Sequence, residues 1–236
     1  MEKVLNELVS KLQKAYGDRL VSVVLYGSAA IGDHTGRYSD INIFCVLSAV
    51  TPRELADAEP VFRWWRAKGN PSPLLMSEEE VRTSTDCFPI EFHDMRERHR
   101  ILHGKDVVAD LEIDDSFYRA QVEYQLRAKL LRLRQKGAGV LHDRELLLKL
   151  LADSVSTFCV LARHALRLHG HESRWPKREV IELAGARAGI DPAPFNTLLD
   201  LREGKIKPRA LDPAPLYESY LREIQRVVDF VDRLAK

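Results

Sequence analysis

An apolar run that ends in glycine and serine, followed shortly by alternating polar and apolar residues, constrains this 236-residue chain more than any other feature. The first segment, 23–28, is Val-Val-Leu-Tyr-Gly-Ser, and the second, 40–44, is Asp-Ile-Asn-Ile-Phe. Side chains two apart on a strand leave the same face, so Asp40 and Asn42 are predicted to share one face while the two isoleucines enter a core. The pattern therefore predicts a strand that ends in a turn and a second strand with oxygen atoms on one face.

The turn at Gly27 and Ser28 is suited to an anion. An apolar strand that ends abruptly in Gly-Ser can present backbone N–H groups, a hydroxyl and a helix N-terminus to a negative charge. Asp40 and Asn42 would offer oxygen atoms to a cation, and Mg²⁺ takes oxygen ligands in proteins. A Gly-Ser pair alone is an ordinary strand-to-helix turn. It is the combination with the polar strand that indicates nucleotide chemistry.

The sequence Gly27-Ser28, a spacer and then Asp40-Ile41-Asn42 resembles the signature of the nucleotidyltransferase superfamily, in which Gly-Ser precedes an acidic strand. The surrounding layout is similar to that of small-molecule adenylyltransferases of the aminoglycoside-modifying type. The resemblance implies a Mg²⁺-dependent enzyme that transfers a nucleoside monophosphate, AMP from ATP, to a hydroxyl of a small molecule or protein. It assigns phosphate positioning to Gly27 and Ser28, and metal binding to Asp40 with weaker help from Asn42.

Asn42 departs from the family pattern, because it occupies the second acidic position. An amide oxygen can ligate a cation but carries no charge, and Mg²⁺ is bound mainly by carboxylates and substrate phosphates. This leaves a second hypothesis open, a catalytically degraded member that serves as a nucleotide-binding or antitoxin-like interaction module.

A third carboxylate is expected from the segment 88–93, Phe-Pro-Ile-Glu-Phe-His. Its alternation predicts a half-buried strand with Glu91 and His93 on one face. By the resemblance, Glu91 helps to hold the metal or deprotonates the accepting hydroxyl. Asp94 at the strand end is the rival position, and a surface role for Glu91 on an edge strand is the structural alternative.

Glu123 and Arg127 lie four residues apart on a predicted helix and share a face. A glutamate and a cationic residue one turn later resemble a pair in the aminoglycoside-modifying enzymes. That resemblance makes Glu123 a general base and Arg127 a phosphate clamp. The alternative is an exposed salt bridge between residues i and i+4.

Periodic patterns predict the remaining elements. A helix is expected over 2–16, and Thr51 and Ser77 each open a capping-box sequence with glutamate three residues later. Strands are predicted over three segments: 20–26, 41–47 and 74–76. Long helical patterns follow over four more: 116–136, 143–169, 177–188 and 214–236, with Gly137-Ala138-Gly139 separating the first two.

The predicted fold class is therefore α+β. A nucleotidyltransferase-like domain, 1–115, would contain a mixed sheet with flanking helices, and a C-terminal helical bundle, 116–236, would follow it. Residues 1–115 carry 14 basic and 20 acidic side chains, whereas residues 116–236 carry 22 and 15. An acidic half that holds a cation and a basic half that attracts a triphosphate is one account of this asymmetry. Simple docking of opposite charges is the other.

Composition favours a folded protein that is neither secreted nor membrane-bound. Hydrophobic residues make up 45% of the chain, and no apolar stretch approaches the roughly 18 residues of a membrane span. Three separated cysteines, Cys45, Cys87 and Cys159, are expected as reduced core residues, which suits the cytoplasm. The expected partners are a nucleotide and a hydroxyl acceptor of unknown identity. Nucleic acid is not expected, and self-association is left open.

Overall fold

The computed structural model describes residues 1–31, 41–171 and 176–234. Described residues up to Ser116 form one compact unit and those from Phe117 onward form a second. The first contains a four-stranded sheet with flanking helices, and the second contains helices. The predicted α+β class is confirmed.

The first unit begins with a helix and builds its sheet from strands that are distant in the chain. Its elements are α1 Glu2–Tyr16, β1 Leu20–Tyr26, β2 Asn42–Leu47, α2 Pro52–Ala67, β3 Leu74–Ser77, α3 Glu78–Thr83, α4 Pro89–Glu97 and β4 His99–Gly104. The strand order is β3-β2-β1-β4. β1 is antiparallel to β2 and β4, while β2 is parallel to β3, so the sheet is mixed.

The two faces of the sheet pack against different helices, because side chains alternate along each strand. One face buries residues of β1 and β2 against α1 and α2: Val23, Leu25, Ile43, Cys45, Leu8, Leu12 and Trp65. The other face packs Val24 and Phe44 against α4, which contributes Phe92 and Met95. The strands predicted at 20–26, 41–47 and 74–76 are confirmed.

Capping boxes begin α2 and α3 as predicted. The backbone N–H of Arg53 donates to the Thr51 hydroxyl at 3.2 Å, and the Thr51 N–H donates to the Glu54 carboxylate at 3.1 Å. At α3 the Ser77 N–H donates to Glu80 at 2.7 Å, and the Glu80 N–H donates back to the Ser77 hydroxyl at 3.1 Å. Each box satisfies N–H groups that the first turn of a helix leaves unpaired.

The strand predicted over 88–93 is wrong, because this segment begins α4. Pro89 occupies the first turn, where its fixed φ suits a helix and its missing N–H costs nothing. Phe92 and His93 are both buried while Glu91 is exposed, a sequence of burial that a helix allows and an alternating strand does not. The strand comes later, as β4, which pairs with β1 at the sheet edge.

The second unit consists of α5 Tyr118–Ala138, α6 Arg144–Leu168, α7 Lys177–Ala188, α8 Ala193–Arg202 and α9 Pro213–Asp232. α6 packs against each of the other four helices. Two sequence predictions need correction. Gly137 lies inside α5 and does not end it, and α8 forms in a segment outside the four predicted helices, where Pro194 fits its first turn.

One cysteine prediction is also wrong. Cys45 and Cys159 are buried, but Cys87 is exposed in the connection between α3 and α4. In the described ranges, no helix combines the length and apolar character needed to cross a membrane.

Candidate functional site

The Gly-Ser turn directly continues the central strand β1. Gly27 has φ of 75°, a conformation that side chains with a Cβ rarely adopt, and its N–H donates to the carbonyl of Arg98 at 3.0 Å. A short 3₁₀ turn, Gly27–Ile31, follows and contains the half-buried Ser28. Glycine at this position lets the chain turn sharply where the strand ends.

Asn42 lies beside this turn. It pairs with Tyr26 across β1 and β2, and a Cβ added to Gly27 would lie 3.3 Å from the Asn42 amide nitrogen. Ile41 and Ile43 enter the core beneath α1 and α2, with 7% and 2% exposure, as their alternation predicted. The structure therefore brings the Gly-Ser turn and the polar strand together.

Asp40 precedes Ile41 and lies outside the described residues. Its predicted metal-binding role stays a prediction.

Two carboxylates reach the same side of the sheet from α4. Asn42 and Tyr26 occupy strand positions on the face that packs against this helix. Glu91 and Asp94 are three residues apart on α4 and so are neighbours on its surface. Burial, then the negative charges of Glu91 and Asp94, raise the pKa of the Tyr26 phenol to about 12. Glu91 therefore approaches the end of β1 from a helix and not from a strand.

Oxygen-bearing side chains lie on this side of the sheet. Asn42 pairs with Tyr26, and the carboxylates of Glu91 and Asp94 are close enough to affect its pKa. Oxygen is the ligand atom of Mg²⁺. Within the part of the chain that the structure describes, no group of three or more His, Cys, Asp or Glu side chains is arranged to hold a metal. Tyr26 itself stays protonated at neutral pH, so its hydroxyl can donate a hydrogen bond.

Glu123 and Arg127 lie on α5 in the second unit. Glu123 accepts hydrogen bonds from Arg127 at 2.8 Å and from Arg119 at 3.0 Å, and Arg127 also lies 3.5 Å from Asp232. The hydrogen bond from Arg127, with a further contribution from Arg119, lowers the pKa of Glu123. The salt bridge that the spacing allowed is thus formed. A carboxylate so stabilised is a weaker base, and its role as general base stays a prediction.

A family profile described as a nucleotidyltransferase domain matches residues 1–132, more than half of the chain. The chain belongs to the nucleotidyltransferase domain family. The structure of spectinomycin adenyltransferase AAD(9) from Enterococcus faecialis, solved with ATP and spectinomycin, is similar in fold. The two sequences are 14% identical, the TM-score is 0.58, and the similarity covers 95% of this chain and 98% of that chain. A comparison with curated protein sequences finds no match.

The match to the nucleotidyltransferase domain family spans Gly27, Ser28 and Asn42. Sequence reasoning missed two contributors to this site. Tyr26 pairs with Asn42 at the end of β1, and Arg98 accepts the Gly27 hydrogen bond through a backbone carbonyl. Tyr26 could have been found from its place immediately before the Gly-Ser pair. No sequence signal marks a backbone acceptor such as Arg98.

Proposed function

We propose that this member of the nucleotidyltransferase domain family transfers AMP from ATP to a hydroxyl group of a small molecule in a Mg²⁺-dependent reaction. The observation that carries the proposal is the placement of Asn42 beside the turn at Gly27, 3.3 Å from the position of an added Cβ. A bulky side chain at Gly27 would fill this space, so glycine keeps the turn open toward the polar strand. Phosphate and metal oxygen atoms need such a close approach to the backbone.

The chemistry follows from the groups at the site. Backbone N–H groups and the hydroxyl of the turn at Gly27 and Ser28 would hold the β- and γ-phosphates. The acceptor oxygen would attack the α-phosphorus in line, forming a new P–O bond as the bond to the β-phosphate oxygen breaks and pyrophosphate leaves. Glu91 would take the hydroxyl proton, because an exposed carboxylate can act as a general base.

A metal ion at this site would be held by Asp40 with Asn42 as a further oxygen ligand, and Glu91 would be a third ligand only where it does not serve as the base. Mg²⁺ bound there would neutralise charge on the triphosphate. The protonated hydroxyl of Tyr26 would add a hydrogen-bond donor beside the same oxygen atoms. Its high pKa keeps it from competing for the proton that Glu91 accepts.

The acceptor is proposed to be a small molecule with hydroxyl groups. The structural neighbour was solved with spectinomycin, and the similarity extends over 95% of this chain. Spectinomycin is therefore the first acceptor to test, followed by other hydroxyl-bearing aminocyclitols.

Calorimetric titration of ATP, with and without Mg²⁺, tests the nucleotide site. We expect binding that depends on Mg²⁺ in the wild type and is lost in Asp40→Ala. Asp110→Ala is the matched control, because it removes an exposed aspartate outside this site and should bind ATP as the wild type does. Absence of ATP binding to the wild type under both conditions would overturn the proposal.

Pyrophosphate release with acceptor then separates an enzyme from a binding module. The neutral Asn42 supports the second hypothesis, a degraded member that binds nucleotide or a partner without catalysis. Binding of ATP with no pyrophosphate release across the acceptor panel would favour that module. Release that requires both ATP and acceptor, and that Glu91→Gln reduces, would favour the transferase.

A further inference from the structure

A basic cleft lies in the second unit, formed by α6, the end of α8 and the segment 207–209. Its volume is about 710 Å³, within the roughly 300–1,000 Å³ that small-molecule sites occupy. Its lining residues are Arg144, Glu145, Leu148, Lys149, Ala152, Leu201, Lys207, Pro208 and Arg209. None of them belongs to the site around Gly27.

Hydrogen bonds hold the walls of this cleft. Arg144, at the start of α6, donates to the carbonyl of Pro208 at 3.1 Å and also to that of Leu211. Arg202 in the last turn of α8 donates to the carbonyl of Ala152 at 2.8 Å. The 208–211 segment and the end of α8 are thus both tied to α6, so the cleft is part of the folded unit.

The cleft carries an excess of positive charge. Four cationic side chains face one carboxylate, that of Glu145. Among the described residues, Lys149, Lys207 and Arg209 form no ion pair. Nearby acidic groups do not neutralise them, because Asp200 and Glu203 are engaged by Arg178 and Lys205. A set of unpaired cations in a concavity attracts an anion.

The floor of the cleft is apolar. Leu148 and Ala152 are one turn apart on α6, and Leu201 and Pro208 complete the surface. A bare inorganic ion would leave this surface exposed to water, whereas a ligand with an apolar portion would cover it. The charged rim and the apolar floor together favour a ligand that has a negative charge and an apolar portion.

We propose that this cleft binds a small organic anion, a phosphate monoester whose ester group is apolar or aromatic. The phosphate contacts Lys207, Arg209 and Lys149, and the ester group lies on Leu148 and Leu201. The inference does not depend on the proposed transferase activity, since the cleft shares no residue with that site.

The probe is phenyl phosphate, added without nucleotide or metal. Its binding is measured by calorimetry and by changes in the amide chemical shifts of Ala152 and Leu201. We expect saturable binding that is tighter than for inorganic phosphate and for phenol, and that weakens as salt rises. Lys207→Glu should weaken binding at least about tenfold, since it replaces a charge-assisted hydrogen bond with repulsion. Arg132→Glu makes the same charge change on an exposed part of α5 and should alter affinity less than about twofold.

Arg209→Glu provides a second variant in the same exposed segment, and it should weaken binding as Lys207→Glu does. Equal affinity of wild type and both variants would overturn the proposal. The proposal would also be overturned if the ligand left the amide chemical shifts of Ala152 and Leu201 unchanged, or if phenyl phosphate and inorganic phosphate bound with equal affinity. Tighter binding of benzoate than of phenyl phosphate would replace the phosphate ester with a carboxylate ligand and would contradict the proposal as stated.

Discussion

Asn42 is the residue on which the proposed transfer reaction most depends. It sits beside Gly27 at the end of two paired strands, where the superfamily resemblance expects a second carboxylate. Its amide can donate an oxygen to a cation but cannot add negative charge. A metal held there would depend more heavily on Asp40 and on the phosphates of the nucleotide.

Restoring the carboxylate with Asn42→Asp is expected to raise turnover. Changes around metal ligands commonly alter activity by about 10–100-fold, so a gain of at least about tenfold in the rate of pyrophosphate release is expected. Release would be measured at saturating ATP across a Mg²⁺ series. Asn6→Asp, which adds the same charge at an exposed position of α1, is the control. Unchanged turnover in Asn42→Asp would show that the natural site works without a second carboxylate.

Glu54 shows how one carboxylate can join a helix cap to an ion-pair network. It accepts from the Thr51 hydroxyl and from Arg19, which also donates to Asp57 at 2.8 Å. The hydrogen bond from Thr51, followed by that from Arg19, lowers the pKa of Glu54 to about 2 even though burial acts in the opposite direction. An unfolded glutamate titrates near 4.3, so the folded state holds the proton less tightly.

The stability that Glu54 contributes is therefore predicted to depend on pH. It is fully present above the unfolded pKa of about 4.3 and is lost as pH falls through the folded value of about 2. Urea unfolding of wild type and Glu54→Gln should show a difference in unfolding free energy that shrinks over this window. Glu59→Gln, an exposed glutamate on the same helix, should keep the wild-type pH dependence. A difference that is constant with pH would contradict the assignment.

At the scale of elements, the contact of α5 with α9 depends on a missing side chain. A Cβ added to Gly137 would lie 2.0 Å from the Tyr217 hydroxyl oxygen and 2.5 Å from its ring. Tyr217 is buried and donates to the carbonyl of Leu133 at 3.4 Å. Glycine therefore fits this position of α5, because the ring of Tyr217 on α9 occupies the space that a side chain would take.

Two neighbouring glycines give a matched test of this packing. Alanine usually stabilises a helix interior relative to glycine, but Gly137→Ala should destabilise the protein by about 1–3 kcal/mol through overpacking. Gly139→Ala should be close to neutral, since its φ is −80° and the nearest atom to the added Cβ is 3.6 Å away. Thermal or urea unfolding would measure both. Equal stability of the two variants would show that Tyr217 and α9 can move to accommodate the added methyl group with no loss of unfolding free energy.

Sequence patterns located most elements but misjudged one that matters for the site. The capping boxes at Thr51 and Ser77 depend on local chemistry, so they could be predicted from a few residues. The segment 88–93 alternates like a strand over too few residues to decide its period, and its helix is fixed by packing of Phe92 and Met95 against the sheet. The sequence therefore identified Glu91 as a carboxylate near the site but did not predict that it lies on a helix.

At the scale of the whole molecule, each unit has buried apolar residues of its own. The second unit has fully buried side chains on three of its helices, α5, α6 and α9. They are Leu126, Leu151, Val155, Tyr220 and Val228. We propose that this unit is a domain, as the sequence prediction of 116–236 indicated.

A fragment comprising residues 117–236 is therefore predicted to fold alone. Circular dichroism should show a helical spectrum and a cooperative thermal transition. Leu151→Ala in this fragment should cost about 2–5 kcal/mol, as expected for a buried leucine. Leu131→Ala, at a position 58% exposed, should have little effect. A gradual transition in the wild-type fragment would show that it needs the rest of the chain.

Gly27 and Asn42 could be related by sequence because the superfamily motif joins them, and their contact follows from strand pairing. The position of Tyr26 before the Gly-Ser pair could be read from the sequence, but its raised pKa could not, since its environment is set by α4, which comes from a distant part of the chain. Asp40 stays a sequence prediction. The basic cleft was not foreseen either, because its two pairs of cations, Arg144 with Lys149 and Lys207 with Arg209, are more than fifty residues apart in the chain, and only the contact of the 208–211 segment with α6 brings them together.

The strand order β3-β2-β1-β4 has a consequence for amide hydrogen exchange. β1 and β2 each have a neighbour on both sides, whereas β3 and β4 form the edges. Edge strands open to solvent more readily than strands bonded on both sides. The amides of Leu25 and Phe44 should therefore exchange among the slowest of the sheet, and the floor beneath Gly27 and Asn42 would stay intact while the edges fray.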